Sequence, residues 1–302
     1  MRFSIWPSAN QPWSDVLATA THAEATGWDG VWIADHFMGN EGSPIPPETP
    51  TFEAGSLVAA LAAAVPRVRL GTLVFGNTYR HPAVVANMAV TVDHVSGGRF
   101  TLGLGAGWQV NEHRQYGITL PPTGELIDRF EEAVQVIRSL LTQPTTTFDG
   151  QHYQLTEALC EPKSVQSPLP ILIGASGEKR MLGVVARLAD QWNCWGTPDL
   201  VAHKSSVLEQ HCERVGRDPS EIGHSAQALV FITDDPGTAE RLTAATGRAT
   251  LAGSTAQLAE RLHEYAEAGL DEFIVPDPTL GQGAEKLERM DQLIEEVASA
   301  VR

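Results

Sequence analysis

The sequence has few cysteines, few lysines and no long apolar run, and each shortage excludes a class of protein. Its three cysteines, Cys160, Cys194 and Cys212, are odd in number and widely spaced, without the C-x-x-C spacing of zinc or redox sites. We therefore expect neither a disulfide framework nor a metal site. No apolar stretch approaches the ~20 residues that a membrane helix needs. The first residues turn polar too soon for a signal peptide.

Positive charge is scarce as well, because 21 Lys and Arg face 37 Asp and Glu, a formal net charge of −16. Nucleic acids and anionic membranes bind clustered basic side chains, so neither is expected as a partner. The 42% of hydrophobic and 19% of charged residues are ordinary for a globular chain. We expect a cytoplasmic protein that acts on a small molecule. Its oligomeric state stays open, with a homodimer among the alternatives.

What is present is a repeated alternation of short apolar runs with amphipathic stretches. The runs predict strands at residues 2–6, 30–34, 68–75, 99–104, 170–173, 189–195, 226–232 and 271–275. Helices are predicted at residues 13–26, 52–65, 82–95, 126–141, 178–188, 199–215, 255–268 and 284–301. Eight such units favour an α/β fold of the (β/α)8 TIM-barrel type over an open sheet. The turn signal Asp149-Gly150 predicts a small hairpin insertion at residues 145–155, and residues 1–302 are expected to form a single domain.

In this architecture the reactive groups follow the carboxyl ends of the strands. Asp35 and His36 follow the second predicted strand, where an imidazole beside a carboxylate is either a proton carrier or a structural pair. Gly76 and Asn77 follow the third strand, in a segment that is either a ligand loop or an ordinary connection. Arg80 and the two residues after it are expected to fix this loop, not to react.

Glycine-rich segments follow the fourth and fifth predicted strands. Gly103, Gly105 and Gly107 permit close approach of the backbone to a flat ring or a phosphate. Asn111 and Glu112 follow on the same loop, where an amide is suited to a ring carbonyl or a hydroxyl. The fifth strand leads into a small-residue turn that predicts either an anion site at a helix N-terminus or a simple helix cap. This turn consists of Gly174, Ala175, Ser176 and Gly177.

Two tryptophans, Trp192 and Trp195, lie along and after the sixth strand, where they either belong to the core or wall a flat ligand. Glycine loops, an anion cradle and a histidine together fit a phosphorylated organic cofactor that carries the reaction while the protein orients it. A barrel hydrolase or aldolase would need a Schiff-base lysine or metal-binding carboxylates at the strand ends, and no obvious candidate for either is present.

Several segments together resemble the bacterial-luciferase-like monooxygenase superfamily over almost the whole chain. The matching segments are residues 34–36, 71–74, 80–82, 93–99 (DHVSGGR), 102–108 (LGLGAGW), 174–180 (GASGEKR) and 189–193. Residues 174–180 and the closing segment 275–280 (VPDPTL) are most similar to the branch that uses the deazaflavin coenzyme F420.

The resemblance implies a role for each of these positions. His36 is implied near the reactive carbon of the ring, with Asp35 supporting it. A bulge with a non-proline cis peptide is implied behind the ring at Leu73 and Val74. Asn111 matches a cofactor-contacting position, and the phosphate-binding loop matches the small-residue turn. Residues 233–253 look too short for the extra helices that cover the substrate in the family.

These expectations combine into one leading function with open alternatives. The cofactor-binding residues are expected to be Asp35, Leu73, Val74, Gly76, Asn77, Gly105, Gly107, Asn111, Gly174, Ala175, Ser176 and Gly177, with His36 as the catalytic residue. The leading function is hydride transfer between coenzyme F420 and a small organic substrate. The alternatives are an FMN-dependent monooxygenase that uses reduced flavin and oxygen, and a non-catalytic flavin-binding protein. The lack of a basic cluster argues against glucose-6-phosphate as the substrate.

Overall fold

The computed structural model describes residues 1–42 and 45–302. Its strands are β1 (Arg2–Trp6), β2 (Gly30–Ile33), β3 (Arg69–Thr72), β4 (Phe75–Gly76), β5 (Phe100–Gly105), β6 (Thr146–Asp149), β7 (Gln154–Ala158), β8 (Ile171–Gly174), β9 (Gln191–Trp195), β10 (Gly223–Gln227), β11 (Leu229–Ile232), β12 (Thr250–Gly253) and β13 (Glu272–Pro276). Parallel strands alternate with helices along the chain, as in a (β/α)8 barrel, when β3 and β4 are counted as one interrupted strand.

The helices are α1 (Trp13–Thr26), α2 (Ala54–Ala64), α3 (Pro82–Ser96), α4 (Val110–Tyr116), α5 (Thr123–Thr142), α6 (Met181–Leu188), α7 (Pro198–Val215), α8 (Pro236–Ala245), α9 (Thr255–Glu267) and α10 (Gly283–Gln292). A π-helical turn, Leu293–Val297, continues α10. Among the described residues, no helix combines the length and the hydropathy that crossing a membrane requires.

The helix ends follow local sequence signals. Helix α1 ends at Gly27, whose φ of 87° is left-handed and suits glycine. Helix α3 begins with Pro82, whose missing N–H costs nothing in the first turn. Helix α9 begins with a capping box, in which Ser254 and Gln257 each bond the other's backbone N–H.

One compact unit comprises Met1–Ser8, Pro12–Trp32 and Ala175–Arg302. Within it the strands lie in the order β2-β1-β13-β10-β9, and the pairings of β1, β9, β10 and β13 are parallel. The register pairs Trp6 with Pro276 and Gln227 with Trp195, so the carboxyl ends of four strands meet at one edge. Strands β11 and β12 form a separate parallel pair.

The other unit comprises Ala9–Gln11 and Ile33–Gly174. Here β5 pairs in parallel with β3, β4 and β8. Strands β6 and β7 form the predicted hairpin, which is antiparallel. The Glu132 carboxylate of α5 accepts hydrogen bonds from the backbone N–H groups of Gln151 and His152, each 2.8 Å long, and so ties the hairpin turn to the helix.

The eight predicted strands and eight predicted helices are all present, and three predicted features are wrong. The segment after β5 contains α4 where the sequence predicted a loop. The predicted seventh strand divides into β10 and β11, and only β10 joins the parallel sheet. Residues 233–253, which looked too short for the extra helices of the family, hold helix α8 and strand β12. The expectation that residues 1–302 form a single domain stays a prediction.

Candidate active site

Asp35 lies just after β2 and is almost completely buried, at 3% exposure. Its carboxylate accepts two hydrogen bonds from the Arg80 guanidinium, of 2.7 and 2.9 Å, and one of 2.9 Å from the backbone N–H of Gly76. The prediction that Asp35 supports His36 is therefore wrong. Asp35 instead holds the loop after β4, and Arg80 fixes that loop, as the sequence predicted.

Arg80 also contacts the carboxylate of Glu53, the residue that caps α2. Burial alone would raise the pKa of Glu53, but hydrogen bonds from the backbone of Ser56 and Gly55 and from Arg80 lower that pKa to about 2. Burial would lower the pKa of Arg80, but the carboxylates of Asp35 and Glu53 raise it. This ionic cluster keeps the end of β2 and the start of α2 in one arrangement.

His36 is partnered by Glu112, which lies in the first turn of α4. The Nδ1 atom of His36 lies 2.9 Å from Oε1 of Glu112, whose side chain is fully buried. The Glu112 carboxylate also accepts hydrogen bonds from the Tyr79 hydroxyl and, at 3.0 Å, from the backbone N–H of Phe37. Burial would raise the pKa of Glu112, but these bonds, the one from His36 foremost, lower it. Glu112 is therefore ionised at neutral pH.

An ionised carboxylate only accepts hydrogen bonds, so the proton on His36 that faces Glu112 belongs to Nδ1. This tautomer leaves Nε2 as the atom that can take up or release a proton. The His36 side chain is 31% exposed, so the ring is within reach of a ligand. Trp108, which is 53% exposed, packs edge-on against the ring at a centroid distance of 5.5 Å.

The peptide bond between Leu73 and Val74 is cis, as the resemblance implied. This bond lies between β3 and β4, and the Val74 side chain lies beside three glycines. A Cβ added to Gly103, Gly105 or Gly174 would lie 3.2, 2.6 or 3.2 Å from a methyl carbon of Val74. Gly105 and Gly174 therefore make room for Val74, whereas a Cβ on Gly103 would first meet the carbonyl oxygen of Thr72, at 1.8 Å. The interpretation that these glycines admit a ring or a phosphate stays a prediction.

The neighbouring predicted positions are also packed against protein groups. A Cβ on Gly76 would lie 2.5 Å from the Tyr79 ring, and a Cβ on Gly107 would lie 2.7 Å from the hydroxyl of Thr78. The buried Asn77 donates from its backbone N–H to the carbonyl oxygen of Gly105 at 2.9 Å. Direct cofactor contacts by these residues stay predictions.

Asn111 carries an unsatisfied polar atom. The residue is 1% exposed and donates from Nδ2 to the carbonyl oxygen of Gly39 at 2.9 Å. Among residues 1–42 and 45–302, nothing donates a hydrogen bond to its buried Oδ1. A buried amide oxygen without a donor is costly, so a bound ligand with a hydrogen-bond donor would stabilise this arrangement.

The predicted phosphate loop is placed differently from the expectation. Helix α6 begins at Met181, so Ala175, Ser176 and Gly177 precede it by a turn and do not form its first turn. In the described part of the chain, the backbone N–H groups of Ser176 and Gly177 donate to no protein acceptor. Both residues are exposed, so these N–H groups are free to bind an anion.

A lysine on α7 fixes the loop that contains Ser176 and Gly177. Lys204 is 8% exposed and donates from Nζ to the carbonyl oxygen of Ser176 at 2.8 Å and to Oε1 of Glu178 at 2.9 Å. The bond from Lys204 lowers the pKa of Glu178. Lys204 therefore holds the loop, and its own charge is neutralised by Glu178.

The two candidate tryptophans differ. Trp192 is fully buried and donates from Nε1 to the carbonyl oxygen of Ala175 at 2.9 Å, so it belongs to the core. Trp195 is only partly buried and lies at the carboxyl end of β9, where it packs against Trp6 at 6.0 Å.

The predicted site residues divide between the two compact units. One unit brings together Asp35, His36, Leu73, Val74, Gly76, Asn77, Gly105, Gly107, Asn111 and Gly174, and the other holds Ala175, Ser176 and Gly177. Sequence reasoning missed the roles of Glu112, Tyr79 and Lys204. Glu112 had one signal, its position beside Asn111, whereas nothing in the pattern marked the other two. Within the described residues no group of His, Cys, Asp and Glu side chains is arranged to hold a metal ion.

Curated relatives carry oxidoreductase names. The F420-dependent glucose-6-phosphate dehydrogenase of Kineococcus radiotolerans is 32% identical over 73% of this chain and 64% of that protein. The enzyme of that name from Microbacterium testaceum is 32% identical over 79% of this chain and 70% of its own length. The one from Amycolatopsis mediterranei is 35% identical over 54% of this chain and 48% of its length. The chain thus spans 64% of the length of the Kineococcus enzyme and 48% of the length of the Amycolatopsis enzyme.

Solved structures share the fold over the full chain. The coenzyme F420-dependent tetrahydromethanopterin reductase from Methanopyrus kandleri has a TM-score of 0.82 at 18% identity, covering 100% of this chain and 99% of that one. At this identity the likeness establishes the (β/α)8-barrel fold. A family model described as luciferase-like monooxygenase matches residues 1–250. The chain therefore belongs to the luciferase-like monooxygenase family.

Proposed function

We propose that this chain is an oxidoreductase that binds coenzyme F420 and transfers a hydride between the deazaflavin and a small organic substrate. The observation that carries the proposal is the His36–Glu112 pair, which presents a partly exposed imidazole nitrogen at the end of β2. The names of the relatives, F420-dependent dehydrogenases, support the choice of cofactor. Bound coenzyme F420 supplies the hydride donor or acceptor.

The residues present fit such a ligand. The unsatisfied Oδ1 of Asn111 calls for a donor of the kind that a ring N–H or a ribityl hydroxyl provides. The free backbone N–H groups of Ser176 and Gly177 suit a phosphate. In the unit that contains Asn111, the backbone around Leu73 and Val74 would hold the ring, and the Asp35 carboxylate would hold the loop that begins at Gly76.

His36 would move the proton. Reduction of a carbonyl or an activated alkene leaves negative charge that a proton must quench, and oxidation of an alcohol requires a proton to be removed. With Nδ1 held by Glu112, His36 would donate or accept that proton at Nε2. Tyr79 and Phe37 keep the Glu112 carboxylate in position by donating to it.

The test of this reaction class is turnover without oxygen. Pure protein is mixed anaerobically with reduced coenzyme F420 and a panel of carbonyl compounds and activated alkenes, and the absorbance of the oxidised deazaflavin is recorded. We expect oxidation that depends on the substrate and needs no oxygen. Product formed only with reduced FMN and oxygen would establish the monooxygenase alternative instead. Binding of either cofactor without any turnover would favour the flavin-binding alternative.

A cytoplasmic location, the absence of a nucleic-acid partner and a homodimeric state belong to the same proposal. The net charge of −16 supports the absence of a nucleic-acid partner. The odd number and wide spacing of the three cysteines support the cytoplasmic location. The exclusion of glucose-6-phosphate as the substrate likewise stays a prediction.

A further inference from the structure

One oxygen of the Glu112 carboxylate is shared by two side chains. Its Oε1 atom lies 2.9 Å from Nδ1 of His36 and also accepts a hydrogen bond from the Tyr79 hydroxyl. The other oxygen, Oε2, accepts a hydrogen bond of 3.0 Å from the backbone N–H of Phe37. Because His36 and Tyr79 meet the same acceptor atom, the strength of each bond depends on the presence of the other.

Packing fixes the Tyr79 ring independently of its hydroxyl. The ring lies against the rings of Phe37 and His113, with centroid distances of 4.9 and 5.0 Å. A Cβ on Gly76 would lie 2.5 Å from the same ring, so the glycine admits the tyrosine at close range. Replacing Tyr79 with phenylalanine therefore removes the bond to Glu112 and keeps the contacts of the ring.

The Tyr79 hydroxyl keeps its proton. Burial, the hydrogen bond to Glu112 and the charge of that carboxylate all raise the pKa of Tyr79. A phenol that stays protonated is a permanent donor toward an ionised carboxylate. Tyr79 therefore draws negative charge from Oε1 of Glu112 whether or not the His36 imidazole is protonated.

Two further charged groups act on Tyr79, and they bond each other. The Asp35 carboxylate raises the pKa of Tyr79 and the Arg80 guanidinium lowers it, while their own hydrogen bonds are 2.7 and 2.9 Å long. On α4, both ring nitrogens of His113 lie within hydrogen-bond distance of oxygen atoms, at 2.6 and 2.7 Å. The charge bonded directly to the Tyr79 hydroxyl is therefore that of Glu112.

We propose that Tyr79 is a positioning residue that shares the charge of Glu112 and thereby limits how firmly this carboxylate holds the protonated form of His36. A hydrogen bond from a neutral hydroxyl stabilises a carboxylate and weakens its attraction for a second donor. An imidazole that is held less firmly passes its proton on more readily, as a proton carrier must. The use of that proton in a reaction rests on the proposed function, but the effect of Tyr79 on the protonation of His36 does not.

The experiment is an NMR titration of the full chain with isotope-labelled histidine, in which the signals of His36 are identified by their loss in His36→Ala. Tyr79→Phe should move the midpoint of the His36 titration upward by about 0.5–1 pH unit, because Oε1 of Glu112 then faces the imidazolium without a competing donor. The matched control is Tyr116→Phe, which removes a hydroxyl from another ring that packs against Phe37. Tyr116 is 56% exposed, and this variant should leave the midpoint unchanged.

Turnover gives a second measurement of the same effect. With a substrate that works on the parent enzyme, the dependence of kcat on pH should shift upward in Tyr79→Phe by the amount that NMR records for His36. The KM of the substrate should change little, since the ring of Tyr79 and its packing are retained.

Two results would overturn the proposal. An unchanged or lowered His36 midpoint in Tyr79→Phe would show that the hydroxyl has no influence on the imidazole, and an equal shift in Tyr116→Phe would show that the effect is not specific to Tyr79. A raised midpoint in a protein that does not turn over coenzyme F420, or whose kcat profile does not shift, would instead overturn the proposed function and leave the role of Tyr79 standing.

Discussion

Replacing His36 with alanine is expected to lower turnover at least about a hundredfold, because a positioned acid or base typically contributes 10²–10⁴-fold to a proton transfer. The affinity for coenzyme F420 should change much less, since Asn111 and the loop after β8 are untouched. The measurement is kcat and KM with a substrate that works on the parent enzyme, together with a cofactor titration of the variant.

The Glu112→Gln variant tests whether the His36 ring needs its carboxylate partner for proton transfer. A glutamine amide can donate toward Nδ1, which removes the preference for the tautomer with a free Nε2. We therefore expect kcat to fall with little change in KM. The surface pair of His22 with Asp291, at 2.7 Å, offers a control, and His22→Ala should retain parental kcat. Turnover of His36→Ala within a few-fold of the parent would contradict the proton role.

The second large effect is expected on stability. Lys286 donates from Nζ to Oδ2 of Asp277 at 2.6 Å, and both side chains are buried, at 7% and 1% exposure. Oδ1 of Asp277 accepts a 2.8 Å hydrogen bond from the backbone of Ser8, so the pair links the end of β13 to the segment after β1. Lys286→Met leaves a buried carboxylate without its cation and should lower the free energy of unfolding by about 3–5 kcal/mol.

Urea denaturation measures this loss, with two comparisons that define its cause. The double variant Asp277→Asn/Lys286→Met removes the stranded charge and should lose less stability than Lys286→Met alone. Arg289→Met breaks an exposed pair with Glu285, and should cost less than about 1 kcal/mol. A loss for Lys286→Met as small as that for Arg289→Met would contradict the account of the buried pair.

The fold was largely predictable because its strands and helices carry local signals. Strand β1 and helix α1 have the predicted bounds, since apolar residues and a terminal Gly27 mark them. Helix α4 was missed because its buried residues, Asn111, Glu112 and His113, are polar and give no apolar stripe. Strand β12 was missed because its pairing with β11 is tertiary, and β11 itself continues the apolar run of β10.

The position of the site could be predicted from the sequence, but the hydrogen-bond partners of its residues could not. His36 follows a strand end, so its place could be expected from the fold. Its carboxylate partner is 76 residues away in the chain, and the neighbouring Asp35 was the natural but wrong choice. The glycines Gly103 and Gly105 of β5 were recognised as special, but only the structure shows that the Val74 side chain packs against them.

The central claim, that the chain uses coenzyme F420, is tested most directly by equilibrium titration of the pure protein with coenzyme F420 and, separately, with FMN. The account predicts micromolar or tighter binding of the deazaflavin and at least about tenfold weaker binding of FMN, a difference of about 1.4 kcal/mol. In the same titration Ser176→Asp, which places a negative charge at the proposed phosphate loop, should weaken the deazaflavin at least about tenfold. Equal affinities, or tighter binding of FMN, would contradict the account.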